Sequence, residues 1–104
     1  MKTKRPSLLR AADVRGFLER HPGWRATKQG LTRTYTFKNH TSELRFVVTV
    51  ATFSKEHRHH PSIQIDFKKV EVRWTTHDAG GITDRDVAMA ELTDRIFKER
   101  IGWW

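Results

Sequence analysis

Two parts of the chain alternate apolar and polar side chains with a period of two, and three others repeat apolar residues at helical spacing. The alternation is cleanest late in the chain. Ile63, Ile65 and Phe67 oppose Ser62, Gln64 and Asp66. After a turn at Lys68-Lys69, Val70, Val72 and Trp74 oppose Glu71, Arg73 and Thr75. This predicts a hairpin with one apolar face. An earlier pair, Trp24–Lys28 and Leu31–Phe37 around Gln29-Gly30, predicts another; Leu31, Tyr35 and Phe37 share a face with Arg33, and Thr32, Thr34 and Thr36 take the other.

Val14, Phe17 and Leu18 fall on one face of a short helix, capped by Asp13 and running to about Arg20, where His21-Pro22-Gly23 stops it. Thr41 to about His57 reads two ways. Its middle, LRFVVTVATF, has the β-branched content of a strand. Its length without Gly or Pro decides for a helix. That helix is apolar most of the way round: Leu44, Val47, Val48 and Ala51 form one stripe, and Phe46, Val50 and Phe53 a neighbouring one. Such a helix is buried on two sides, and in so small a domain the second side predicts a subunit interface. Thr83 and Asp86 resemble a capping box for a last helix reaching about Arg100, with Met89, Leu92, Thr93, Ile96 and Phe97 inward. Gly102 ends it and leaves Trp103-Trp104 exposed or packed on a neighbour. The expected fold is α+β: a four-stranded antiparallel sheet with three helices on one face, in the order α-β-β-α-β-β-α. Residues 1–7 are expected as a flexible basic arm and residues 8–104 as a single domain.

Composition narrows the function classes. The 104 residues include no cysteine, which rules out a cysteine nucleophile, a disulfide scaffold and thiolate metal sites. No stretch is long and apolar enough for a signal peptide or a membrane span, so the expected setting is cytoplasmic, with no membrane partner. The net charge of +8 would suit an anionic partner, but the basic residues are scattered and form no block, which argues for a solvated surface over nucleic acid.

The candidate chemistry lies between Lys55 and Asp86, which hold four of the six histidines: His57, His59, His60 and His77. Pro61 turns His60 out of helical geometry. His60 precedes one strand of a hairpin and His77 follows the other, so His59, His60 and His77 are expected at one end of the sheet. Imidazoles titrate near neutral pH and can both give and take protons. A metal is the rival use, with His57 and His59 as two ligands and His60 or His77 as a third. No acid is obviously placed to support those ligands, and Lys55 and Arg58 bring positive charge, so neither metal nor cofactor is expected. Asp86 reads equally as a helix cap, and Trp24, Phe67 and Trp74 as packing residues.

At these positions the chain resembles the pterin-4a-carbinolamine dehydratases (4a-hydroxytetrahydrobiopterin dehydratases). The resemblance rests on Lys55, His59-His60-Pro61, Phe67, His77 and Asp86 at the family's spacings, and on the run TTHDAGGITDRD at residues 75–86. Gly23-Trp24, Tyr35-Thr36-Phe37, Phe46 and Val50 extend it over about residues 8–98. It implies a hydro-lyase that converts 4a-hydroxytetrahydropterin to quinonoid dihydropterin, without metal or organic cofactor. A small pterin would be the substrate, a homodimer or homotetramer the assembly, and cofactor recycling for aromatic amino acid hydroxylases the context. It implies His59 and His77 as general acid and base, with His60 binding or orienting the ring. Trp24, Lys55, Arg58, Thr76, Asp78, Arg85 and Asp86 would complete the substrate site. Lys55 and Arg58 depart from the family, whose members often carry acidic or amide groups there. Nearby cations disfavour imidazolium and suit a phosphorylated, molybdopterin-like pterin. The alternative in another class is a non-catalytic dimerisation or assembly factor.

Overall fold

The alternating segments form one antiparallel sheet in the computed structural model, which describes residues 7–99. The elements are helix α1 (Ala11–Arg20), strands β1 (Arg25–Thr27) and β2 (Gly30–Thr36), helix α2 (His40–His57), strands β3 (Ser62–Asp66) and β4 (Lys69–Trp74), a single 3-10 turn (His77–Ala79) and helix α3 (Asp84–Glu99). The spatial strand order is β1-β2-β4-β3, so the two hairpins join through β2 and β4. This is the expected α+β architecture. The expectations for residues 1–6, and for Arg100, Gly102 and Trp103-Trp104, lie outside the described residues. Leu9 already donates its backbone N–H to the Ile82 carbonyl at 2.9 Å, tying the start of the domain to the approach to α3.

Register explains the single core. Leu31 lies opposite Trp74, Arg33 opposite Val72 and Tyr35 opposite Val70. Opposed residues share a face, and on this face Leu31, Tyr35, Val70, Val72 and Trp74 are buried. Phe17 from α1, Phe46 and Val50 from α2, and Met89, Ala90 and Ile96 from α3 complete that core. Each large apolar side chain so buried contributes about 1.5–3 kcal/mol. The other sheet face is polar, with Thr34, Thr36 and Gln64 exposed. Gly30 (φ 125°) makes the β1–β2 turn, where a Cβ would run into the Trp74 carbonyl oxygen.

Some local expectations are corrected. Asp13 does not cap α1. The helix begins earlier because Ala11 and Ala12 are strong helix formers. Arg10 occupies the N-cap without a side-chain bond, and Asp13 sits in the first turn, 3.8 Å from Arg10. The late hairpin turns at Phe67-Lys68, not Lys68-Lys69. Lys69 pairs with both Asp66 and Thr36, so it belongs to β4. Lys68 takes a left-handed conformation (φ 64°), and its carbonyl accepts the Phe37 N–H at 2.8 Å. Phe67 is therefore a turn residue, 68% exposed, and not strand packing.

α2 keeps its helical assignment. The Asn39 side chain accepts the Ser42 N–H at 2.8 Å, and Arg58 (φ 53°) closes the C-terminus. Its Phe46–Val50 stripe is buried, while Leu44 and Val48 face outward at 40% and 65% exposure.

A polar network sits at the edge of the core. Asp94 on α3 accepts from Trp24 Nε1 (2.9 Å), Arg33 Nη1 (3.1 Å) and the Tyr35 hydroxyl (2.6 Å). Burial, and then the Asp94 charge, push the Tyr35 hydroxyl far above its ordinary range, so it remains a donor. In the unfolded chain a tyrosine titrates at about pH 10. Above that pH the unfolded state releases a proton that the folded state keeps, so stability falls as pH rises. Tyr35 is the only tyrosine. In an alkaline titration, tyrosinate absorbance is expected only as the protein unfolds, and Tyr35→Phe should remove this part of the alkaline loss. A tyrosinate signal from still-folded protein would contradict the burial argument.

Candidate active site

The left-handed Arg58 lets the chain leave α2 and fold back on itself. The His59 N–H returns to the Ser54 carbonyl at 3.1 Å, and Arg85 Nη2 donates to the Arg58 carbonyl at 3.1 Å. The turn thereby delivers His59 to the N-terminus of α3. His59 is 8% exposed, and its imidazole stacks on Trp74 with ring centroids 5.5 Å apart and planes 24° apart. Trp74 is itself fixed, donating from Nε1 to Thr93 Oγ1 at 3.1 Å.

His59 Nε2 lies 2.6 Å from Oδ1 of Asp86, which is fully buried. The other carboxylate oxygen, Oδ2, accepts the Thr83 N–H at 2.9 Å and the Thr76 hydroxyl at 2.8 Å. The Thr76 and Thr83 hydroxyls are 2.8 Å apart, so while Thr76 donates to Asp86 the Thr83 hydroxyl can donate to Thr76. One carboxylate thus performs two tasks that the sequence offers as alternatives: it caps α3, and it holds an imidazole. An ionised carboxylate only accepts. With Asp86 as the acceptor, the proton of this bond sits on Nε2 and Nδ1 is the nitrogen outside it.

The family model described as pterin 4 alpha carbinolamine dehydratase matches residues 7–96. The chain belongs to that family. A provisionally named pterin-4-alpha-carbinolamine dehydratase of Thermomicrobium roseum is 46% identical over 79 residues, covering 76% of this chain and 85% of the relative. One of the same name from Aquifex aeolicus is 37% identical over 87 residues, covering 84% and 88%. Among solved structures, a transcriptional coactivator/pterin dehydratase from Brucella melitensis superposes with a TM-score of 0.82 at 25% identity, over 86% of this chain and 98% of that one.

The dehydratase fold sorts the predicted site residues into three groups. His59, Thr76 and Asp86 are brought into one buried hydrogen-bonded unit, joined on the outside by Arg85 and Arg58. His60 before β3 and His77 after β4 flank the same end of the late hairpin, and both are exposed, as are Lys55 and Asp78. Among the described residues, no side-chain hydrogen bond or ion pair engages these four. Trp24 goes elsewhere: it is buried between Phe17 and Tyr35 with its N–H on Asp94, which matches its reading as a core residue.

Asp86 also overturns the expectation that no acid supports the histidines. It lies 27 residues from His59 in sequence, so local spacing could not reveal the pairing. Trp74 was legible as inward-facing, but not as the plate beneath an imidazole. Thr83 was legible as a cap, but not as a donor to the carboxylate that holds His59. Replacing Asp86 by Ala removes the α3 cap and strands two buried donors. Asp86→Ala should cost about 3 kcal/mol of stability in denaturant unfolding, whereas His77→Ala, exposed and unpartnered, should change stability by less than about 0.5 kcal/mol.

Proposed function

We propose that this protein dehydrates 4a-hydroxytetrahydropterin to quinonoid dihydropterin by histidine general acid–base catalysis. The observation that carries the reading is the buried 2.6 Å contact between His59 and Asp86. It engages one imidazole nitrogen and leaves the other for proton transfer, and the family name, pterin 4 alpha carbinolamine dehydratase, supports a dehydration of this class. The reaction breaks the C4a–O bond as the leaving hydroxyl takes a proton, and a ring N–H gives one up to form the C=N bond. Water leaves and the proton count balances, so no oxidant or reductant is needed. His59 and His77 are the acid–base pair, and His60 orients the ring. Asp86, held by Thr76 and Thr83, positions His59 and does not touch substrate. Lys55, Arg58, Asp78 and Arg85 form the rim. The setting is pterin-cofactor recycling in the cytoplasm.

Dehydration of chemically prepared 4a-hydroxytetrahydropterin tests the reading. Wild type should accelerate it over buffer, and His59→Ala combined with His77→Ala should lower kcat by about 100-fold or more. Asp86→Asn offers an amide donor to Nε2 and so inverts the imidazole tautomer; it should lower kcat by at least about 10-fold in a protein that remains folded. No acceleration by wild type would defeat the enzyme reading.

A second reading, an assembly factor, draws on the apolar surface. Leu44 and Val48 on α2, with Ile65 and Phe67 on the β3 side, are large and exposed, and such residues are candidates for contact with further copies. Self-association as a homodimer or homotetramer is common to both readings. Leu44→Glu with Val48→Glu should reduce the mass measured by light scattering toward 12.3 kDa, with the helical circular dichroism retained. An unchanged mass would remove α2 from the interface.

A further inference from the structure

The end of the late hairpin also borders a cleft on the polar face of the sheet. It has a volume of about 330 Å³, and Lys28, Gln29, Ser62, Arg73, Thr75 and His77 line it. This is at the lower end of the range for small-ligand sites. Among the described residues, none of its walls is acidic. Lys28 comes from the β1–β2 turn, Arg73 from β4, and His77 from the loop beyond. The walls are thus two permanent cations, a titratable imidazole, two hydroxyls and an amide.

Among the described residues, no carboxylate forms an ion pair with Lys28 or Arg73. Arg25, Thr32, Arg73 and Ser62 form one row across the four strands. Arg25 has a carboxylate nearby, Glu71 at 3.8 Å. Among the described residues, Arg73 is held by neutral acceptors: Nη1 donates to Gln29 Oε1 at 2.8 Å and Nη2 to Ser62 Oγ at 3.3 Å. These bonds orient the planar guanidinium without pairing it to a carboxylate, and Glu71, which borders the adjoining cleft with Arg73, is engaged by Arg25. An oriented, unpaired guanidinium is what recognises a phosphate fork. Lys28 is exposed, and among the described residues it forms no ion pair.

We infer that this cleft is an anion subsite, and that it takes a phosphate monoester on the side chain of the pterin. The inference rests on the reading of His59 and His77 as the pterin site and names its substrate class. Thr75 and His77 flank Thr76, the threonine that bonds Asp86. Thr76 turns to the core face and the cleft lies on the other, so His77 is the residue common to the cleft and the proposed pterin site. A pterin ring seated at His77 would direct its side chain along the β4 end toward Arg73 and Lys28. The cations that receive it are these two, and not Lys55 and Arg58.

The test compares neopterin with neopterin monophosphate, which differ only in the phosphate, by fluorescence-quenching titration at low ionic strength. The phosphate ester should bind wild type roughly 10-fold more tightly, and the preference should shrink as salt is raised, because the charges are near the surface. In Lys28→Gln with Arg73→Gln the ratio of the two affinities should fall to about one, while Lys38→Gln with Lys98→Gln, the same loss of two positive charges on exposed side chains elsewhere, should keep it. Lys28→Gln alone alters an exposed turn side chain and should still lower the ratio, which covers failure of the double variant to fold. Equal affinities in wild type, or a preference that survives loss of Lys28 and Arg73, would overturn the subsite. Separate outcomes distinguish it from the reading beneath it. Acceleration of 4a-hydroxytetrahydropterin dehydration with no phosphate preference removes the subsite alone; no acceleration, with neither pterin bound, removes both.

Discussion

The Asp86 carboxylate is the interaction on which the site depends. It is fully buried, and a buried carboxylate is tolerated only when its oxygens are satisfied. Here Oδ1 takes the imidazole and Oδ2 takes a backbone N–H and a threonine hydroxyl. The donors come from three separate places: the turn after α2, the end of β4 and the start of α3. Bringing them together requires the whole sheet-and-helix arrangement. In return, the carboxylate fixes the mutual positions of those three segments. Helix capping is worth about 1 kcal/mol; the shared charge-assisted bonds add to it.

The fold was legible because its periodicities are clean. Val70, Val72 and Trp74 alternate without interruption, and all three are fully buried in one face of the sheet. α2 was harder, since its β-branched residues suit a strand, and length alone decided correctly. The misplacements at Asp13 and Phe67 have different causes. Ala11-Ala12 carry α1 back to an Arg10 cap, and the late turn depends on which of two adjacent residues, Lys68 or Lys69, takes the left-handed conformation. A hydrophobic pattern records neither.

The candidate site was legible in part for the same reason. Histidine density and hairpin order pointed to one end of the sheet. Pairings across long sequence gaps could not be read. His59 with Asp86 is one, and Trp24, Arg33 and Tyr35 with Asp94 is another. Asp86 lies on the same inward stripe of α3 as Met89, Ala90, Thr93 and Ile96, but helical spacing names no partner for it. Asp94 sits at the edge of that stripe, half-sheltered beside Tyr35 and Arg33. Trp24 shows the cost: a residue placed in the site by resemblance turns out to anchor the core through Asp94.

Asp86 and Asp94 lie two turns apart on α3, about 12 Å along its axis. The helix is thus tethered at one end to the imidazole and further along to β2 through Tyr35 and Arg33. A rod pinned at two points cannot slide or roll without breaking a pin. The position of His59 relative to the sheet is therefore set by the pitch of a helix rather than by the pliancy of the loop that carries it. Drift in sequence at either pin would have to be matched at the other for the His59–Asp86 geometry to survive.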